Sequence, residues 1–116
     1  MSKEIVLNDY TFLVSETDEK GNIIFANEDF CKVAGYHIDE LIGQPHNIIR
    51  HKDMPKVAFK DLWETVKKGN IWTGYVKNRA ENGDFYWVFM QLFFQQLLVK
   101  IQKAFYLVEE KQILLR

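Results

Sequence analysis

Two stretches with hairpin chemistry, one near the start and one past the middle, constrain this chain more than anything else in it. The first joins Thr11 to Thr17 with Ile23 to Ala26 through the turn residues Asp18-Glu19-Lys20-Gly21-Asn22. The second joins Ile71 to Asn78 with Asp84 to Phe89 through Ala80-Glu81-Asn82-Gly83. All the clear helical signals fall between them. Asn27 suits the N-cap of a helix over Glu28 to Ala34, Glu28 and Asp29 favour its first turn, and Gly35 ends it. A short turn from Ile38 to Ile42 stops at Gly43. Pro55 opens a longer helix closed by Gly69, in which Val57, Phe59, Leu62, Trp63 and Val66 recur at three- and four-residue spacing. Without strand-helix-strand alternation, the predicted class is α+β: an antiparallel sheet with short helices and one longer helix on one face. At 116 residues the chain has room for one domain. Met1 to Tyr10 reads as an N-terminal cap or a short helical lead-in.

Between the two hairpins, the stretch Gly43 to Pro55 holds a Gln ahead of its first proline and two His, an Arg, an Asp and an Asn between its prolines, with Ile48, Ile49 and Met54 interleaved. Such a mixture reads as a pocket wall. An aromatic share of 15% points to a large aromatic core or a ring-lined cavity. The net charge of −1 gives no electrostatic reason to expect nucleic acid. A single cysteine, Cys31, excludes an internal disulfide and fits a reducing cytoplasm. No signal peptide or membrane span is legible, and no Ser-His-Asp arrangement, phosphate loop or zinc-protease helix is present, so substrate turnover is not expected.

The strings Asn27-Glu28-Asp29-Phe30, Gly35-Tyr36, Glu40 to His51, Asp53-Met54-Pro55, Trp63, Ile71-Trp72-Thr73-Gly74, Val76 to Arg79, Asn82-Gly83-Asp84 and Tyr86-Trp87-Val88 closely resemble PAS sensor domains of the bacterial aerotaxis-receptor type. The resemblance runs from about Thr11 to Val88. It implies a PAS fold that binds FAD, senses the redox state of the cell without enzymatic turnover, and signals to a chemotaxis transducer or its signalling domain from the cytoplasm. Residues matching those important for flavin binding or signalling are Asn27, Arg50, His51, Asp53, Trp63 and Asn78; Trp72 and His46 lie in the same blocks. A PAS domain without cofactor that only dimerises or docks on a partner is the alternative.

Each of these residues also has a plainer reading. A flavin needs an apolar slot, polar groups along its pyrimidine edge and donors for its pyrophosphate. Trp63 could border the ring, Asn78 meet its edge, and Arg50 with His51 meet phosphate. Taken without the resemblance, Trp63 and Trp72 would be core aromatics. Asn27 would be an N-cap, and Asp53 part of the long helix's start. Asn78 would be a strand-end amide, unless Val76 and Asn78 face inward together. His46, His51 and Asp53 are too few for a closed zinc site. Cys31 lacks the Asn-Cys-Arg-Phe context of the light sensors and reads as a small buried residue.

The resemblance stops abruptly after Val88. Read one base earlier, the codons permit Tyr-Ala-Thr-Val-Phe-Pro and later Ser-Cys-Arg-Arg-Lys, so residues from about Phe89 onward can be read as a frameshifted tail. Read as genuine, Phe94, Leu97, Leu98, Ile101, Phe105 and Val108 have helical spacing suited to an output or dimerisation helix, while Ala104 to Val108 could substitute for the last strand. The last strands are therefore open, and with them the retention of FAD.

Overall fold

The computed structural model describes residues 2–97 and 102–111, with side chains to residue 93. The first hairpin forms β1 (Phe12–Thr17) and β2 (Ile23–Ala26). Then come α1 (Glu28–Ala34), α2 (Ile38–Leu41), a 3-10 turn (His46–Ile49) and α3 (Lys56–Lys67). The chain returns as β3 (Trp72–Arg79), β4 (Phe85–Leu97) and β5 (Gln102–Lys111). All five strands form one antiparallel sheet in the order β2-β1-β5-β4-β3. This is the α+β arrangement expected from the grouping of strands at the two ends.

Local chemistry accounts for the helix limits. The Asn27 side chain accepts from the Phe30 amide at the start of α1, and Gly35 ends it in a left-handed conformation at φ 78°. On α2, His37 and Glu40 form a reciprocal capping box. Pro55 sits one position earlier than expected, at the N-cap of α3 rather than its first residue. Leu62 and Val66 give α3 its buried stripe. Val57 belongs to the apolar spacing yet is 69% exposed, because at about 100° per residue it lies about 140° round the helix from Leu62.

A slip in register shapes the first hairpin. Glu16 pairs with Phe25 and Thr17 with Ile23, leaving Ile24 without a partner. That bulge puts Ile24 and Phe25 both outside while Ile23 and Ala26 are buried. Residues 2–10 form no helix. Instead Glu4 bridges Phe85 in parallel, the Ile5 amide donates to the Phe85 carbonyl at 2.7 Å, and Leu7 enters the core.

The sheet continues past the end of the family resemblance. β4 runs through Val88 to Leu97, and β5 pairs with β1 on one side and β4 on the other. Residues 102–111 are therefore strand rather than helix; Leu98 and Ile101 of the alternative helical stripe lie outside the described residues. No helix among the described residues is long and apolar enough to cross a membrane.

Candidate functional site

Between α3, the 3-10 turn and the sheet lies a cavity with about 60 Å³ of water-accessible space. Its walls are Thr17 of β1, His46, Asn47, Ile49 and Arg50 of the 3-10 segment, Phe59, Leu62 and Trp63 of α3, Val76 and Asn78 of β3, and Met90 and Leu92 of β4. Strand alternation explains the sheet's share, since Val76, Asn78, Met90 and Leu92 are all buried on the inner face. Asn78 is 3% exposed, and the backbones of Asn78 and Arg50 form an antiparallel bridge that fastens the segment to the edge of β3. Trp63 is half-buried and reaches over the first hairpin turn, with Cζ2 3.9 Å from where a Cβ on Gly21 would stand.

The polar groups around the cavity differ in charge state. The Arg50 guanidinium lies 3.7 Å from the centroid of the Phe59 ring, and partial burial lowers its pKa without removing its charge. His46 Nε2 is 3.0 Å from the Ser15 hydroxyl, and its ring meets Phe30 edge-on. Burial first, and the Arg50 charge second, push the His46 pKa down to about 4, so the ring is neutral at pH 7. The Thr17 hydroxyl is buried and has no hydrogen-bond partner among the described residues.

Asn47 and Arg50 also line a second, open groove with Ser2, His51, Lys52, Arg79 and Gly83. Three permanent cations converge on it: Arg50, Lys52 and Arg79. His51 is 7% exposed, and its Nδ1 accepts from the Asp53 amide at 3.0 Å. Desolvation, followed by the charge of Lys77, lowers its pKa. His51 therefore contributes a neutral ring edge rather than a fourth charge.

The remaining residues singled out in the sequence lie off the cavity. Asp53 holds Lys77 Nζ at 2.9 Å, and this hydrogen bond is the main reason its carboxyl is pulled below the usual range. The Lys77 amide donates to Met54 Sδ at 3.4 Å, so Asp53 and Met54 together pin the loop to β3. Asn27 joins three elements: Oδ1 accepts from Val14 and Phe30, and Nδ2 donates to the Phe12 carbonyl at 2.8 Å. Trp72 donates from Nε1 to Asp61 Oδ2 at 3.0 Å and lays its ring over Gly74. Cys31 is half-buried on α1 and is not among the lining residues, its thiol pKa raised by burial. The structure thus brings together Arg50, Trp63, Asn78 and His46 at the cavity and His51 at the groove, and leaves Asn27, Asp53 and Trp72 as fasteners. Thr17, Asn47, Phe59, Met90 and Leu92 are lining residues that the sequence reading did not assign to the site. Thr17 had a signal, because Leu13, Ser15 and Thr17 share one face and two of the three are polar.

Comparison with known proteins agrees with this architecture. A family described as the PAS fold matches residues 23–96. Over 82 residues the chain is 57% identical to the aerotaxis receptor of Escherichia coli K12, an alignment covering 71% of this chain and 16% of the receptor. It is 31% identical over 75 residues to the nitrogen fixation regulatory protein of Klebsiella pneumoniae, covering 65% of this chain and 15% of that protein. The biofilm dispersion protein of Pseudomonas aeruginosa is 31% identical over 74 residues, covering 63% and 18%. The chain spans less than a fifth of the length of these relatives. Among solved structures, a PAS domain from Colwellia psychrerythraea superposes with a TM-score of 0.77 at 20% identity, over 90% of this chain and 89% of that one. The dark structure of the blue-light photoreceptor Aureochrome1 LOV gives 0.76 at 16% identity, over 87% and 75%. At such identity these structures speak for the fold alone. Strand order and the match over residues 23–96 make this chain a member of the PAS-fold family.

Proposed function

We propose that this chain is a non-enzymatic flavin-binding redox sensor that takes FAD and signals to a chemotaxis transducer from the cytoplasm. The observation that carries the reading is the pairing of an apolar cavity with a cationic groove through shared walls, Asn47 and Arg50. A dinucleotide has these two parts, a flat ring and a pyrophosphate. Asn78 and Thr17 offer polar contacts inside the cavity, Trp63 a ring face, and Arg50, Lys52 and Arg79 the phosphate charge. The 57% identity to the aerotaxis receptor supports the transducer as partner.

The donor set fits a flavin, while the space fits one only after side chains move. Drug-sized ligands occupy roughly 300–1,000 Å³, against about 60 Å³ here. Phe59 and Trp63 are both half-buried, and on this reading theirs is the side of the cavity that moves. When bound, the flavin supplies reversible electron uptake with a change in ring protonation. The chain's part is to present the Asn78 amide to the ring and to pass its displacement into β3, which is tied to the 3-10 segment through the Arg50 bridge and the Asp53–Lys77 pair.

The small volume favours the second reading, a cofactor-free PAS module that dimerises or docks on a partner. The absorption spectrum of the purified chain, before and after reconstitution with FAD, separates the two. Flavin bands bleached by dithionite and restored by air support the sensor. A colourless protein that stays colourless supports the interaction module, and a Soret band would point to haem instead.

A further inference from the structure

We propose that Thr17 is a ligand-contacting residue of the cavity, its hydroxyl donating a hydrogen bond to a heteroatom of the flavin ring; this rests on the flavin reading above. Thr17 is 4% exposed, lines the cavity, and its Oγ1 is without a hydrogen-bond partner among the described residues. A bare buried hydroxyl is costly, and native proteins seldom carry one without a use for it. Valine would fill the same shape in a strand without that cost.

Its position is fixed by the backbone. The bulge between Glu16 and Thr17 sets Thr17 opposite Ile23, a fully buried residue, at the end of β1 where the turn begins. Ser15, on the same inner face, already has its oxygen 3.0 Å from His46 Nε2. The Thr17 hydroxyl keeps both its proton and its lone pairs available to an occupant of the cavity.

The test titrates FAD, and separately riboflavin, into the flavin-free chain and follows quenching of flavin fluorescence. Riboflavin lacks the pyrophosphate and so reads the ring pocket alone. Thr17→Val should weaken both flavins about tenfold. Thr17→Ser, which keeps the hydroxyl, should stay within about threefold of the parent. The flavin-free Thr17→Val chain should also melt above the parent, which confirms that it is folded and that the hydroxyl was unsatisfied. Parent-like affinity in Thr17→Val would overturn the inference and leave the flavin reading standing. Failure of the parent chain to quench either flavin would overturn both.

Discussion

Replacing Asn27 by Ala removes three hydrogen bonds at one point, to the Val14 and Phe30 amides and the Phe12 carbonyl. Loss of an N-cap costs about 1 kcal/mol, and the two strand contacts should bring the total to about 2 kcal/mol. Asn27→Ala should lower the melting temperature by about 5–10 °C while flavin affinity of the folded protein stays at the parent value. A large loss of affinity in folded Asn27→Ala would return this residue to the binding site. His46 makes a different prediction. Its folded pKa of about 4 lies below the ordinary 6.5, so between those values the unfolded chain binds a proton that the folded chain refuses. Stability therefore falls as pH drops from about 6.5 to about 4, by at most about 3 kcal/mol. The depressed pKa of His51 acts in the same direction. Urea midpoints at pH 7.5 and 4.5 should differ less in His46→Asn than in the parent, and equal differences would show that His46 is not the titrating group. The cap role of Asn27 was legible because it is local. Its ties to Phe12 and Val14 depend on how the hairpin packs, which no local pattern reports.

At the scale of elements, the polar stretch from Gly43 to Pro55 divides into two functions. Its first half, the 3-10 turn and Arg50, forms the wall shared by cavity and groove. Its second half, His51 to Met54, grips the exposed edge of β3 through Asp53, Lys77 and Met54. Covering that edge also removes a template for strand addition. Strand alternation made Val76 and Asn78 legible as an inward pair, but it could not say that Trp72, on the same face, would turn to α3. Trp72 is held there by Asp61, and Gly74 leaves the room its ring needs. A Cβ on Gly74 would stand 2.6 Å from Trp72 Cη2. Gly74→Ala should therefore displace the indole, break its bond to Asp61 and cost about 1–3 kcal/mol. Near-ultraviolet circular dichroism would register the changed tryptophan setting. An unchanged spectrum with parent stability would mean that Trp72 has another comfortable position. Had Trp72 been a cavity residue, the same substitution would alter flavin binding first.

For the whole molecule, the decisive strand is the one the sequence made hardest to read. β5 lies between β1 and β4, so it alone joins the N-terminal hairpin to the β3–β4 hairpin within the sheet. Its contacts are remote in sequence, Leu13 with Glu109 and Ser15 with Leu107. Glu109 stands in register between Leu13 and Met90, both core residues, so the apolar alternation by which a strand is recognised is missing there. Helical spacing from Phe94 to Val108 offered a competing pattern, and only the two open strand edges decide between them. This dependence can be tested through the backbone. Val108 pairs with Val14 on one side and Gln91 on the other, and proline there removes a donor and fits poorly in a central strand. Val108→Pro should lose cooperative thermal unfolding and collapse the dispersion of its amide NMR spectrum, taking flavin binding with it. Lys56→Pro, at the first residue of α3 where proline is tolerated and follows an already extended Pro55, should stay folded and serves as the control. If Val108→Pro instead keeps a dispersed spectrum and a parent-like melting transition, residues 102–111 do not form the central strand, and the cavity wall at Thr17, Met90 and Leu92 must be supported by another part of the chain.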